Sequence, residues 1–378
     1  MKKILTIVGA RPNFMKAAVL HRALEALPGV VSRIVHTGQH YDPAMSGVFF
    51  RELDLPAPHE YLDIHDAHSI RLVARIMLAL EPVLERERPD WVVVIGDVDS
   101  TLAAALTAHK MGIPLAHVEA GLRSFDRGMP EENNRIVTDA LSDLLFVTEP
   151  QGVENLLKEG VPAQKIHTVG NCLVDCLVQF HEKARQTEHF ERLQLPDGKY
   201  ALLTFHRPSN VDTAPALERL VDLIGQVCLR YPAVFPLHPR TRNRLEQAGL
   251  LERLSQNPRL HMPEPLGYLP FLNLMEHAAV VVTDSGGIQV ESGWLDVPCI
   301  TLRNSTESPA CVAFGTNVLL PETDAAALNG LMDQIEQGGW KKSRLRELWD
   351  GQAAVRMAEI LVARPSGRRE EAIHGRPA

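Results

Sequence analysis

The chain has 378 residues, 45% hydrophobic and 23% charged, the make-up of an ordinary globular protein of about two domains. Its formal net charge of −8 argues against a general nucleic-acid binder, which needs a basic face, and no apolar run of about eighteen residues is present to span a membrane. The five cysteines (Cys172, Cys176, Cys228, Cys299 and Cys311) are odd in number, so reduced thiols in a cytoplasmic protein are expected; Cys172 and Cys176 read as helix packing rather than a zinc pair.

Apolar β-branched runs alternate with amphipathic stretches from the start. Lys3–Val8 reads as a first core strand, not a signal peptide, because Arg11-Pro12 interrupts the apolar run so early. Helices are predicted over Phe14–Ala26, Ile70–Glu87, Ser100–Lys110 and Gln151–Glu159. Strands are predicted over Ser32–His36, Trp91–Ile95, Leu115–Val118 and Leu144–Val147. The alternation restarts after Val169-Gly170-Asn171. Strands follow at Tyr200–Thr204, Val234–Leu237, Leu260–Met262, Val280–Thr283, Pro298–Leu302 and Asn317–Leu320, with helices at Ala214–Arg230 and Tyr268–Glu276. This is the pattern of βαβ units and two parallel sheets. It divides the chain into residues 1–170 and 171–344, with a C-terminal helix at about 345–363 that can pack back on the first half. The Pro-, Gly- and Arg-rich segment 365–378 reads as a disordered tail. Two α/β domains leave a cleft faced by the carboxyl ends of their strands, where ligands bind.

The stretch from Val281 to Glu291 concentrates the binding signal. A buried strand runs into Asp284-Ser285-Gly286-Gly287 and then into a helical pattern. Glycines there let the backbone approach a ligand, and the uncapped amides at a helix start favour an anion, so the turn can cradle a diphosphate. A Gly-rich turn without a ligand explains the same residues. Glu291, one helical turn on, is placed to accept from ribose hydroxyls. Other polar residues also gather at strand ends. Arg11 and Lys16 follow the first strand, Asp97 ends the Trp91–Ile95 strand, and Glu119 ends the next. Asp99 or Ser100 can cap the following helix, and Asp97-Val98-Asp99 also has the spacing of a divalent-metal site. Pro130-Glu131-Glu132 suits a helix N-terminus on dipole grounds alone, with Arg135 one turn on and able to pair with Glu131. In the second half His206-Arg207 and His238-Pro239-Arg240 sit just past strands, as anion or acid/base candidates. Acids in the first half and basic, Gly-rich positions in the second suit a nucleotide diphosphate with an attached group whose protons are moved.

Gly9-Ala10-Arg11-Pro12, His36-Thr37-Gly38-Gln39-His40, Gly96-Asp97, the run His117 to Arg123, Pro130-Glu131-Glu132, Asn134-Arg135, His206-Arg207, the run Asp284 to Gln289 and Thr306-Glu307 occur in one order over about residues 4–320. Together they resemble the motifs of the non-hydrolysing UDP-N-acetylglucosamine 2-epimerases. The resemblance implies an α/β fold of two Rossmann-like domains of the GT-B type, with the active site in the interdomain cleft. It implies a cytoplasmic homodimer using no redox cofactor and no metal. The reaction it implies is C2 epimerisation of a UDP-2-acetamido sugar, UDP-GlcNAc to UDP-ManNAc, by anti elimination of UDP to a 2-acetamidoglucal and re-addition. Matched residue by residue, it makes Asp97, Glu119, Glu131 and His206 catalytic. It assigns substrate contacts to Arg11, Lys16, Arg135, Phe271, Ser285, Gly286, Gly287 and Glu291. Members regulated by substrate bind a second UDP-sugar, and Gln39, His40, Arg207 and His238 match part of that site. Ser209 and Ser308 stand where many members carry Glu and Arg, and Leu266 where a polar residue is frequent. Three other readings follow: epimerisation of a UDP-diacetamido-uronic acid, a UDP-sugar-binding protein that has lost catalysis, and a GT-B glycosyltransferase, for which no acceptor site is evident.

Overall fold

The computed structural model describes residues 1–9, 11–38, 57–321 and 324–365, and among these thirteen short strands, apolar at the sheet centres, pair in parallel into two sheets. The side chains of 11 and 12 are not among those described, nor are residues 39 and 40 or the tail beyond 365.

The first sheet comprises β1 (Lys2–Val8), β2 (Val30–His36), β3 (Glu60–Tyr61), β4 (Trp91–Ile95), β5 (Leu115–Val118), β6 (Leu144–Val147) and β7 (Ile166–Thr168). Its order is β3-β2-β1-β4-β5-β6-β7, and every pair is parallel. The second sheet comprises β8 (Ala201–Thr204), β9 (Ala233–Val234), β10 (Leu260–His261), β11 (Val280–Thr283), β12 (Cys299–Thr301) and β13 (Asn317–Leu319). Its order is β10-β9-β8-β11-β12-β13, again wholly parallel. Both windings start in the middle, run to one edge and then to the other. Each therefore reverses direction beside its first strand, between β1 and β4 and between β8 and β11. That reversal is where open α/β sheets bind ligands.

The central strands are buried on both faces, which is why β4 reads Trp-Val-Val-Val-Ile without polar alternation. By contact the chain divides into one unit of Met1–Gln179 with Leu348–Ala378, and a second of Phe180–Glu347. In the first, Leu5, Val92, Val94 and Leu115 pack against Leu80, Leu84 and Ala104 of the helices Ser69–Glu87 and Asp99–Lys110. In the second, Leu203, Val282 and Ile300 pack against Leu217, Leu220 and Ile224 of the helix Ala214–Arg230. Among the described residues no helix is long and apolar enough to cross a membrane.

The first unit is completed by a returning segment. Trp349 is buried and its Nε1 donates to Thr148 O at 2.7 Å. The helix Ala353–Ala363 then packs on the helix Arg11–Glu25. A continuous helix over 345–363 does not form: Gly351 adopts φ +76° and separates Leu345–Leu348 from Ala353–Ala363.

Candidate active site

In the first unit the polar residues converge at the exits of β1, β4 and β5. Gly9 ends β1, and a Cβ there would stand 2.1 Å from Ser100 Oγ and 2.6 Å from Thr37 Oγ1. Only glycine fits this crowded reversal point. Arg11 is the first residue of its helix; Asn13 and Lys16 lie in the next turns. Asn13 Nδ2 donates to Ile95 O at 3.0 Å, holding the helix to the end of β4. Lys16 Nζ reaches across to Glu119 Oε2 at 2.6 Å, with both side chains nearly buried. Arg135, from the helix Pro130–Leu141, places its guanidinium 2.5 Å from Asp97 Oδ2. A Cβ on Gly96 would stand 3.6 Å from Glu119 Oε2, so the Glu119 carboxylate lies against the residue that precedes Asp97. Two carboxylates thus sit on neighbouring strand exits, each against a buried cation. Each cation fixes the direction of its carboxylate.

Two expectations change here. Arg135 pairs with Asp97, 38 residues away, rather than with Glu131 one turn before it. Asp97 is aligned by the sheet, whereas Glu131 is exposed in the first helical turn. Neither Asp99 nor Ser100 caps its helix: Val98 is the N-cap, and Asp99 Oδ1 instead accepts from Asn134 Nδ2 at 3.1 Å. Both carboxylates of the Asp-Val-Asp motif are therefore directed at donors of one helix, which accounts for their spacing.

Residues that the sequence reading left aside hold this geometry. Glu132, beside Glu131, is buried and accepts from Ser124 N at 2.7 Å and Phe125 N at 3.2 Å, fixing the loop before its helix. His117 and Asp139, both buried, bond to each other at 2.7 Å. Their chemistry was visible in the sequence; their partners, in different elements, were not.

In the second unit the turn after β11 leads into the helix Gly286–Trp294, with Ser285 at the N-cap. The Ser285 side chain makes no capping bond, so the first-turn amides have no local hydroxyl partner. Gly286 has no positive φ and no crowding that requires glycine, since an added Cβ would stand 3.8 Å from its nearest neighbours, Arg303 and Glu307. Gly287 follows in the first turn, and Glu291 is buried one turn on. Asp284 is fully buried and organises the adjacent β8 exit. It accepts from His206 N at 3.1 Å, Arg207 N at 3.0 Å and Asn210 Nδ2 at 3.0 Å. His206 Nδ1 lies 3.3 Å from Asp284 Oδ1. Burial lowers the His206 pKa despite the opposing pull of Asp284. Burial thus disfavours the charged imidazole at this strand exit.

Gln289 ties the turn to its surroundings, its Oε1 accepting from Thr306 Oγ1 at 2.8 Å and Asn317 Nδ2 at 3.1 Å. Arg303 makes two bonds to Glu307, at 2.8 and 2.7 Å. Burial alone would raise the Glu307 pKa; Arg303, with Arg207 beyond it, overrides that and holds it at about 2. Arg207 NH2 is 3.8 Å from Glu307, so Arg207 is near this turn as well. The His238 ring lies tilted beside His206, with ring centroids 5.4 Å apart, and caps the helix Pro239–Gln247 by accepting from Arg240 N. Phe271, on the helix Tyr268–Glu276, is half-buried against the cluster that includes Ile288 and Leu274. Leu266 packs on the same cluster, which explains an apolar residue there. Gln39 and His40 lie outside the described residues.

The first unit therefore offers acids paired with cations, and the second a helix start with His206, Arg207 and Arg303 nearby. Known proteins share both the sequence and the fold. A family model described as UDP-N-acetylglucosamine 2-epimerase matches residues 22–362. The UDP-N-acetylglucosamine 2-epimerase of Methanocaldococcus jannaschii is 39% identical, covering 95% of this chain and 98% of the relative. The UDP-2,3-diacetamido-2,3-dideoxy-D-glucuronate 2-epimerase of Pseudomonas aeruginosa is 40% identical over 95% and 99%. A crystal structure of the M. jannaschii enzyme in complex with UDP-GlcNAc and UDP superposes with a TM-score of 0.87 at 39% identity, covering 95% of this chain and 99% of that one. The chain, with two Rossmann-wound sheets of the GT-B type, belongs to the UDP-N-acetylglucosamine 2-epimerase family of isomerases.

Proposed function

We propose that this protein inverts C2 of a UDP-2-acetamido sugar, converting UDP-GlcNAc to UDP-ManNAc through elimination and re-addition of UDP. The observation that carries the reading is the pair of cation-held carboxylates, Asp97 and Glu119, on adjacent strand exits of one unit. In the elimination the C2 proton leaves to a carboxylate and the C1–O bond breaks. The products are a 2-acetamidoglucal with a C1=C2 double bond and free UDP. Re-addition of the UDP oxygen at C1 and of a proton at C2 from the opposite face gives the epimer. Two proton-handling groups are required, and we assign them to Asp97 with Glu119 or Glu131. Lys16 and Arg135 hold Glu119 and Asp97 in place.

The departing diphosphate carries the negative charge. The helix start at Gly286-Gly287 and the cations Arg11 and Arg207, with the His206 ring beside them, suit that charge. Gly286 supports this part, because nothing inside the protein demands a glycine there. Glu291 and Phe271 complete the nucleotide contacts on this reading, and no metal or redox cofactor enters a step. Homodimer formation and a cytoplasmic setting belong to the same proposal.

The Pseudomonas relative supports a second substrate, a UDP-diacetamido-uronic acid. Incubation of the enzyme with each sugar nucleotide in D₂O, followed by NMR, separates the readings. Deuterium at C2 with a mannose-configured product from UDP-GlcNAc is the expected result. Exchange confined to the uronic acid moves the assignment to that substrate. Binding without exchange on either overturns the catalytic reading, and sugar transfer to an added acceptor turns it toward a glycosyltransferase.

A further inference from the structure

His117 occupies the third position of β5, an otherwise apolar strand, and is fully buried. A buried imidazole persists only when its nitrogens are satisfied. Nε2 faces Gly96 O at 2.8 Å, and Nδ1 faces Asp139 Oδ1 at 2.7 Å. A carbonyl accepts only, so Nε2 donates. Asp139 Oδ2 already takes Gly121 N at 3.1 Å and Arg123 NH2 at 2.7 Å. Burial would raise the Asp139 pKa, but His117 and Arg123 together keep it low. The Asp139 carboxylate faces Nδ1 from the other side, so the ring is held between two fixed acceptors. Arg123 pairs in turn with Glu159 at 2.6 Å, which extends the network to the helix Pro150–Lys158 and its end.

This network reaches every element that supplies a carboxylate to the proposed site. Gly96 immediately precedes Asp97. His117 is two residues before Glu119, on the same strand end. Asp139 is on the helix that carries Glu131 and Arg135. Glu119 itself is held at φ +69°, a left-handed conformation that is costly for a non-glycine residue and survives only where its surroundings enforce it. The amides of Glu119 and Ala120 both donate to Phe146 O at 3.1 Å. Gly121 is fixed on its amide by Asp139 and on its carbonyl by Asn155 Nδ2 at 2.9 Å.

We propose that His117, held by Asp139, is a positioning residue that sets the distance between the Asp97 and Glu119 carboxylates by tying the β4 exit to the β5 exit and to the helix Pro130–Leu141. The proposal deepens the epimerase reading and rests on it for its kinetic test. A role in folding alone would move stability without singling out turnover.

The test compares His117→Asn, which keeps a donor toward Asp139 but is too short to reach Gly96, with His117→Gln, which keeps that reach, and with Asp139→Asn. Expected for His117→Asn is a fall in kcat of ~10- to 100-fold with KM and UDP affinity within about threefold, and recovery of about tenfold in His117→Gln. In an Asp97→Asn background the same change is expected to cost less than about threefold, because the group being positioned is already lost. Hydrogen exchange read by mass spectrometry should rise about tenfold at residues 96–98 and 119–122 in His117→Asn and Asp139→Asn, with the rest of β4 and β5 unchanged. Turnover within about threefold of wild type, full additivity with Asp97→Asn, or unchanged exchange at those two turns overturns the proposal. Should the wild-type enzyme process neither sugar nucleotide, the functional reading fails, while the exchange measurement still decides whether His117 positions the turns.

Discussion

Asp97 and Glu119 face Arg135 and Lys16 across 2.5 and 2.6 Å in nearly buried surroundings, so each carboxylate is aimed by its partner. Acid/base groups are worth roughly 10²- to 10⁴-fold in rate, so Asp97→Asn and Glu119→Gln should each lower turnover by at least ~10². UDP affinity, measured by calorimetry, should stay near wild type in both, and near-normal turnover in either removes that residue from the mechanism. Glu307 gives a prediction in stability rather than rate. Its pKa of about 2 lies below the ordinary 4.5, so its ionised form stabilises the fold above about pH 4.5, and that contribution is lost as pH falls through 2. Glu307→Gln should therefore cost about 2–3 kcal/mol at pH 7, also stranding Arg303, and the gap from wild type should narrow steadily between pH 4.5 and 2 in denaturant titrations. A gap that stays constant across that range would show that Arg303 does not set the Glu307 charge. Much of the candidate site was legible residue by residue because its side chains lie directly at strand ends. What the sequence hid was pairing. His117 meets Asp139 across 22 residues, and Asp284 meets His206 across 78, separations with no periodicity to read.

The returning helix Ala353–Ala363 is pinned at both ends by charges of the sign its dipole favours. Gln352 provides no side-chain cap; Asp175 supplies one from a distant part of the chain, accepting from Ala353 N at 3.1 Å and Ala354 N at 2.6 Å. At the other end Lys2 Nζ donates to the carbonyls of Leu361 and Val362, at 3.1 and 2.7 Å, and to Arg364 O. Asp175→Ala leaves two buried amides without acceptors and should cost about 1–3 kcal/mol, against no more than about 1 kcal/mol for Lys2→Met at the frayed end. Chemical denaturation measures both, and equal losses would contradict the asymmetry. Elements with long apolar runs or a clear helical stripe were readable to the residue, as with β4, β5, β6 and the helices Ala214–Arg230 and Tyr268–Glu276. The edge strand β3 has two residues and β7 three, too few for any periodicity. β9 pairs only over Ala233–Val234, although the apolar run continues to Leu237. Phe235 and Leu237 are buried as core side chains, and their amides still donate to His261 O and Pro263 O, so the run stays packed and hydrogen-bonded past the regular ladder.

The two sheets repeat one winding, and each collects its polar residues at its own reversal point, which the restart of the alternation near residue 170 made visible in the sequence. Their chemistries differ. The second unit presents a helix start with His206, Arg207 and Arg303 nearby; the first presents carboxylates with matched cations. On the proposed function the nucleotide belongs to the second unit and the hexose to the carboxylates of the first. Ligands that differ only by the sugar therefore separate the two roles in the intact protein. UDP at about 100 times its dissociation constant should stabilise the native state by about 2.7 kcal/mol. It should slow hydrogen exchange at 204–210 and 283–291. UDP-GlcNAc should add protection at 96–98 and 119–122, which UDP alone leaves nearly unchanged. If UDP alone protected the β4 and β5 exits while 283–291 exchanged freely, the assignment of nucleotide and sugar to the two units would be reversed, and Asp97 and Glu119 would lie against phosphate. Two carboxylates are poor partners for a diphosphate, so that outcome would also require Lys16 and Arg135 to leave their present pairs.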